Sequence, residues 1–194
     1  MAGPVSIERS RTALLIMDYQ SAVVSGFASD QEALLKRAAQ ALDAARRNAL
    51  KIIYVVVHFR PGYPEVSPRN ANFNAVRQSG RFHGEAGTEV HPALAPQPDD
   101  IVVTKRRVGA FLGTDLDMIL RANDIETLVM FGIATSGVVI STLRYAADAD
   151  YRLIVLKDCC SDRDAEVHRV LTEKVFPRQA TVLTAAEFAE ALTP

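Results

Sequence analysis

An aspartate closes the apolar run in "ALLIMDYQ" and a lysine closes a second one in "DIVVTKRR". A carboxylate at a strand end is partly desolvated, which raises its pKa unless a cation or hydrogen bond opposes the shift. A lysine meeting it across the strand-end crevice keeps the acid ionised or shares its proton, so Asp18 and Lys105 are the candidate acid–base pair. Read on position alone, Asp18 can equally brace the loop that follows it. Lys105 can likewise be a solvated strand-end charge beside Arg106 and Arg107. A third element is backbone. The segment "GIATSGVV" reads as a strand end bending into a helix, whose first N–H groups near Gly137 would aim at the crevice and could hold an oxyanion or a carboxylate. Ser136, as N-cap, would take one of those donors, and an ordinary capped helix is the plain alternative.

The elements that must position these groups are legible as an alternation. The runs at 12–18, 52–59, 101–105, 127–133, 152–158 and 180–184 are short, apolar and continuous, as suits strands covered on both faces. Residues 31–48, 115–122, 138–149, 164–175 and 185–192 carry helical period, with capping-box signals at Thr114/Asp117 and Thr184/Glu187. The fold class expected is α/β: a single three-layer α/β/α domain over residues 1–194, with a Rossmann-like, six-stranded, mainly parallel sheet. Residues 60–98 hold six of the nine prolines and four of the ten glycines, without sustained periodicity, which marks them as a rim, lid or subunit contact. Ligands in open α/β sheets bind beyond the carboxyl ends of the strands, which directs attention to Asp18, His58, Lys105 and residues 133–138.

Composition narrows the function classes. A chain of 194 residues, 48% hydrophobic with a formal net charge of −1, favours neither nucleic acid nor a membrane surface as partner. "MAGPVSIERS" has no basic stretch followed by an apolar one, and the two cysteines, Cys159 and Cys160, are adjacent rather than spaced as a framework. A reducing cytoplasm is the expected location.

In combination, "LLIMDYQ" and "VVTKRRVGAFLGTDLDMILRANDIETLVMFGIATSGVVISTLRYAADADYRLIVLKD" resemble the isochorismatase-like hydrolases, which include isochorismatases, nicotinamidases and carbamoyl-amide hydrolases. The resemblance spans nearly the whole chain. It rests on the strand-end aspartate with Gln20 two residues on, the lysine followed by "AF.GT.L", and the "GIAT" bend leading into a helix that contains "ST". It implies a catalytic Asp, Lys and Cys, which fall at Asp18, Lys105 and Val138. The cysteine is therefore absent. In the thiol-dependent branch a thiolate attacks the carbonyl and backbone donors hold the oxyanion; valine cannot perform the first step. The isochorismatases of siderophore and phenazine biosynthesis, which resemble this sequence in keeping the aspartate, carry glycine in place of the cysteine. There the aspartate protonates an enolpyruvyl methylene carbon and water completes the cleavage. The sequence departs from that branch as well, with Val138 rather than glycine and "GIATS" rather than a "GVYAH"-type bend.

The resemblance also implies a non-proline cis peptide between Ile133 and Ala134, backbone donors at Ala134 and Val138, and a homo-oligomer, a dimer or a tetramer. The remaining substrate-binding candidates are Gln20, Phe27, His58, Arg60, Phe111, Ser136 and Gly137, with Phe73 and Phe82 as further lining. His58 and Arg60 could face a substrate carboxylate, though a lone histidine leaving a strand is more often a structural hydrogen-bond partner. No metal and no cofactor are expected, because "VVVHFRPGYPEV" lacks the aspartate and paired histidines of the metal-binding relatives. The main expectation is a hydrolase acting on a small-molecule substrate, acidic or aromatic, through Asp18 and Lys105 with water as the attacking group, on an enol ether or a carbon–nitrogen bond. Its alternatives are a silent small-molecule binding protein on the same scaffold and an amidase whose nucleophile has moved to a residue such as Ser136.

Overall fold

Six parallel strands form one sheet: β1 (Thr12–Met17), β2 (Lys51–Val57), β3 (Ile101–Lys105), β4 (Thr127–Gly132), β5 (Arg152–Leu156) and β6 (Thr181–Leu183). The computed structural model describes residues 7–28, 30–84 and 87–193; the amino-terminal residues 1–6, read above for a leader, lie outside them. Every residue of β1 and of β4 is buried, which requires cover on both faces and accounts for their continuous apolar sequences. The expected three-layer architecture is the one found, and the sheet is parallel throughout.

The strand order is β3-β2-β1-β4-β5-β6. From β1 the chain builds outward to β2 and β3, then crosses back to place β4 on the other side of β1. The order reverses between β1 and β4, and at such a switch point adjacent connections diverge and leave a crevice beyond the strand ends. The register puts Met17 opposite both Val55 and Gly132 and Val57 opposite Lys105, so β2 and β3 run two residues past the level at which β1 and β4 end. Gly132 is needed there: a Cβ on it would lie 2.8 Å from Met17 O and 3.1 Å from Val138 Cγ1, which no larger residue can relieve without moving backbone.

The helices are α1 (Ser21–Phe27), α2 (Gln31–Arg47), α3 (Ala71–Gln78), α4 (Leu116–Ala122), α5 (Ile140–Asp148), α6 (Ala165–Val170) and α7 (Ala185–Ala191). α1 and α3 were not expected. α3 buries only Phe73, too little for an apolar stripe, and its local signal is the cap: Asn70 Oδ1 accepts from Phe73 N at 3.1 Å. α1 is short, and its N-cap Gln20 makes no side-chain cap. At Thr184 both halves of the expected capping box form, with Glu187. At Thr114 the box does not form: the N-cap of α4 is Asp115, and Asp117 pairs with Arg121 at 2.9 Å along the helix instead.

The described part of residues 60–98 carries α3 and a small core of its own. Phe59, Tyr63, Val66 and Phe73 bury themselves with Val57 in a satellite core, against which Val76 and Phe82 pack. This segment stands as a wall beside the strand ends.

Candidate active site

Asp18 follows β1 directly and its backbone takes φ 56°, a left-handed conformation uncommon for any residue but glycine and most accessible to Asp and Asn. Its N–H still donates to Val55 O at 2.8 Å, so the residue is tethered to β2 while its side chain turns into the crevice. Lys105 reaches it from the end of β3. Two strand spacings separate β3 from β1, about 9–10 Å, a span that calls for a long side chain. Lys105 Nζ lies 2.9 Å from Asp18 Oδ2 and also donates to Arg107 O at 3.1 Å. The pair is nearly dry, with side-chain exposures of 3% for Lys105 and 9% for Asp18. Burial pushes the Asp18 carboxyl above its ordinary value; the charge of Lys105 and its hydrogen bond oppose this without cancelling it. Asp18 Oδ1 is buried and has no hydrogen-bond partner among the described residues.

Both residues line a cavity of about 670 Å³ at the switch point. One wall is the bend after β4, Ile133, Ala134, Ser136, Gly137 and Val138; the opposite wall comes from α3 and the residues after it, Phe73, Val76, Arg81 and Phe82 among them. Phe27 and Arg163 complete the mouth. The Ile133–Ala134 peptide is cis.

The bend differs from a simple capped helix. A π-turn over Thr135–Val139 precedes α5, and its N-cap is Ala134, so Ser136 sits inside the first turn and caps nothing. Thr135 N–H donates to Ser161 O at 2.9 Å, Ser136 N–H to Asp162 Oδ2 at 2.7 Å and Gly137 N–H to Ala134 O at 3.1 Å. Beneath it, Thr135 Oγ1 and His168 Nδ1 are 2.8 Å apart. Burial, opposed by Asp162 and Glu173, holds His168 below its ordinary value. The loop after β5 thus fixes the bend. Among the described residues, no hydrogen bond ties Ala134 N–H or Val138 N–H to a group outside the bend and its helix.

Asp18, Lys105, Phe27, Phe73, Phe82, Ala134, Ser136, Gly137 and Val138 are thus brought to one cavity. Other candidates lie elsewhere. Gln20 is fully buried and its polar atoms are taken up internally: Nε2 donates to Val57 O and Thr88 O at 3.0 and 2.6 Å, and Oε1 accepts from Val57 N at 2.8 Å. It clamps the end of β2. His58 borders a separate open cavity with Glu89, Arg60 pairs with Glu65 at 2.5 Å, and Phe111 stacks on Tyr145 with centroids 4.4 Å apart. The reach of a side chain depends on the turn that carries it, and here the turn after Val57 directs residues 58 and 60 away from the crevice. Cys159 and Cys160 are buried outside the cavity; burial pushes both thiols up, Cys160 to about 12. Among the described residues no three His, Cys, Asp or Glu side chains converge as metal donors.

The isochorismatase domain profile matches residues 12–187. The chain belongs to the isochorismatase family. It is 35% identical over 190 residues to the uncharacterized isochorismatase family protein YwoC of Bacillus subtilis, covering 98% of each chain. It is 34% identical to the ureidoacrylate amidohydrolase RutB of Stutzerimonas stutzeri, over 80% of this chain and 71% of that one. Among solved structures, a cysteine hydrolase from Pseudomonas syringae pv. phaseolicola superposes with TM-score 0.88 at 25% identity, covering 97% of this chain and 95% of that one. This isochorismatase-family hydrolase of small substrates therefore shares the scaffold of a cysteine hydrolase while holding valine at position 138.

Sequence reasoning missed Asp162, Arg163 and Arg81. The first two follow β5 in "CCSDRDAE", and the strand-end rule applied to β5 would have pointed to them. Arg81 had no such signal, because its place depends on how residues 60–98 pack.

Proposed function

We propose that this protein hydrolyses its substrate with water as the attacking group, Asp18 carrying the proton and Lys105 setting the charge beside it. The observation that carries the reading is Asp18 Oδ1: a buried carboxyl oxygen without a hydrogen-bond partner among the described residues, in a residue that lines the cavity, while the other oxygen is held by lysine. An acid kept above its ordinary value in a desolvated site is suited to give and retake a proton.

For an enol ether, Asp18 delivers its proton to the terminal alkene carbon and water adds to the resulting oxocarbenium carbon, returning a proton to Asp18. The hemiketal then collapses to an alcohol and a carbonyl compound. For an amide, the class suggested by the relative named ureidoacrylate amidohydrolase, Asp18 takes a proton from the attacking water. The tetrahedral oxyanion rests on Ala134 N–H and Val138 N–H, and Asp18 passes the proton to the leaving nitrogen. Both routes share one residue and require no thiol. Val138 contributes apolar packing, being 2% exposed against Gly132. The protein acts in the cytoplasm as a homo-oligomer, on a small molecule rather than on nucleic acid or a membrane.

The test is a screen of enol ethers, amides and carbamates with wild type, Asp18→Asn and Val138→Ala. Asp18→Asn should abolish turnover, a loss of about 10²- to 10⁴-fold, and Val138→Ala should keep most of it. Mass spectrometry during turnover should show no acyl adduct. An adduct on Ser136, or activity that survives Asp18→Asn, would overturn the reading.

A further inference from the structure

Lys105 is aimed by a carbonyl as well as by its acid. The sheet fixes its backbone, where His58 N–H donates to Lys105 O at 3.3 Å, but Nζ stands at the end of a flexible four-carbon stem. Besides Asp18 it has one partner among the described residues, Arg107 O at 3.1 Å. That carbonyl belongs to an irregular stretch. Among the described residues, Arg106 to Gly109 make no backbone–backbone hydrogen bond, and the stretch is next tied where Ala110 N–H donates to Thr142 Oγ1 at 3.1 Å. A carbonyl with so few local backbone bonds around it keeps its direction only if side chains hold the chain that carries it.

Those side chains converge on Glu65. Arg106 Nε lies 2.9 Å from Glu65 Oε1, Arg60 Nη1 donates to the same oxygen at 2.5 Å, and Arg107 Nη2 donates to Glu65 O at 3.2 Å. One residue thus takes both arginines that follow the lysine, the first by its carboxylate and the second by its main chain. Glu65 is well anchored for this. Its neighbours Tyr63 and Val66 are buried in the satellite core, and the Tyr63 hydroxyl donates to Arg81 O at 2.8 Å. Burial would raise the Glu65 carboxyl, but its own N–H, Arg60 and Arg106 outweigh that and hold it below its ordinary value, as an anion at neutral pH. Glu65, Arg106 and Arg107 all lie outside the cavity lining, so whatever they do for the site passes through Lys105.

We infer that Glu65 is a positioning residue of the Asp18–Lys105 pair, holding Arg106 and Arg107 so that Arg107 O directs the lysine ammonium onto Asp18. This rests on the proposed function for what the pair does, while the aim of the lysine stands on the contacts alone. It gives the segment after β2 a part in the site beyond that of a wall: its small core is the fixed point, and Glu65 is the arm that reaches from it to the end of β3.

The test follows the side-chain carboxyl carbon of Asp18 by NMR through a pH titration, in wild type, Glu65→Ala and Glu65→Gln, each with and without Lys105→Met. The charged groups that line the cavity with Asp18 are Lys105, Arg81 and Arg163, and all three stay in place in the Glu65 variants. Removing an anion from the neighbourhood lowers the midpoint of a carboxyl, whereas a lysine that has lost its aim raises it, so the sign separates the two effects. Glu65→Ala should raise the Asp18 midpoint by about one pH unit, part of what a lost ion pair is worth. Glu65→Gln, whose amide oxygen can still take Arg60 and Arg106, should raise it less. With Lys105→Met in place, neither substitution should raise it further. A midpoint unchanged or lowered in Glu65→Ala, or raised equally with and without the lysine, would overturn the inference; if Glu65→Ala does not fold, Glu65→Gln is judged by the same signs. Midpoints that rise as expected in a protein that turns over nothing in the hydrolase screen would leave the positioning intact and sink the Asp18 chemistry. Asp18-dependent turnover with unmoved midpoints would do the reverse.

Discussion

At the residue scale the proposed chemistry turns on one buried pair. The Asp18 carboxyl sits above its ordinary value in the folded protein, so folding favours its protonated form. That contribution to stability is fully present below the unfolded value and is lost as pH rises through the raised one. The same sign applies to activity on an enol ether, which needs the acid form: kcat/KM should fall on the alkaline side as Asp18 ionises. Lys105 is the cation that lowers this value, so Lys105→Met should move the alkaline limb to higher pH. The variant also leaves Asp18 without its partner. Breaking a buried pair costs about 3–5 kcal/mol, so thermal unfolding is measured first, and the rate profile is taken well below the melting temperature. A limb that stays in place, or moves to lower pH, would show that Asp18 is not the titrating acid.

At the scale of elements the bend after β4 is a device held from outside. Two of its amides are held by groups outside the π-turn: Asp162 Oδ2 takes Ser136 N–H at 2.7 Å and Ser161 O takes Thr135 N–H at 2.9 Å. In the proposed mechanism Asp162 positions the bend rather than touching the substrate, since it holds Ser136 N–H and does not line the cavity. Asp162→Ala should lower kcat by about 10- to 100-fold with little change in KM, the cost of a small misplacement of reacting groups. Asp162→Asn, whose amide oxygen can still accept from Ser136, should recover most of the rate. A change confined to KM, or a failure of asparagine to rescue, would assign Asp162 another role.

At the scale of the whole molecule, the strand order does what no single residue can: it brings the ends of β1, β3 and β4, far apart in sequence, to one crevice. It also leaves large apolar side chains outward. Leu112, Met118 and Tyr145 are 67%, 68% and 48% exposed, on the loop before α4 and on α4 and α5. Exposed groups of this kind suit the homo-oligomer proposed above. Met118→Glu combined with Leu112→Glu should shift the sedimentation of the protein toward the monomer while leaving Asp18 and Lys105 untouched. A wild-type protein that already sediments as a monomer would remove the oligomer from the account.

Local chemistry and periodicity marked out much of this protein before any coordinates. Continuous apolar runs announced the six strands because buried parallel strands need cover on both faces, and the charged residues ending two of those runs, Asp18 and Lys105, announced the buried ion pair. The Thr184 capping box was legible for the same reason, since its bonds lie within one turn. What stayed hidden depends on packing over long separations. Gln20 and Phe27 sit near Asp18 in the chain, yet one is a buried clamp and the other lines the cavity, a distinction made by the turn into α1. Arg81 enters the site only because Phe59, Tyr63 and Phe73 fold residues 60–98 into a wall. His58 and Arg60 leave it because that same folding turns them outward. A sequence states which side chains can do chemistry and at which strand end they arrive; the direction each then faces is set by contacts between segments that only the tertiary structure brings together.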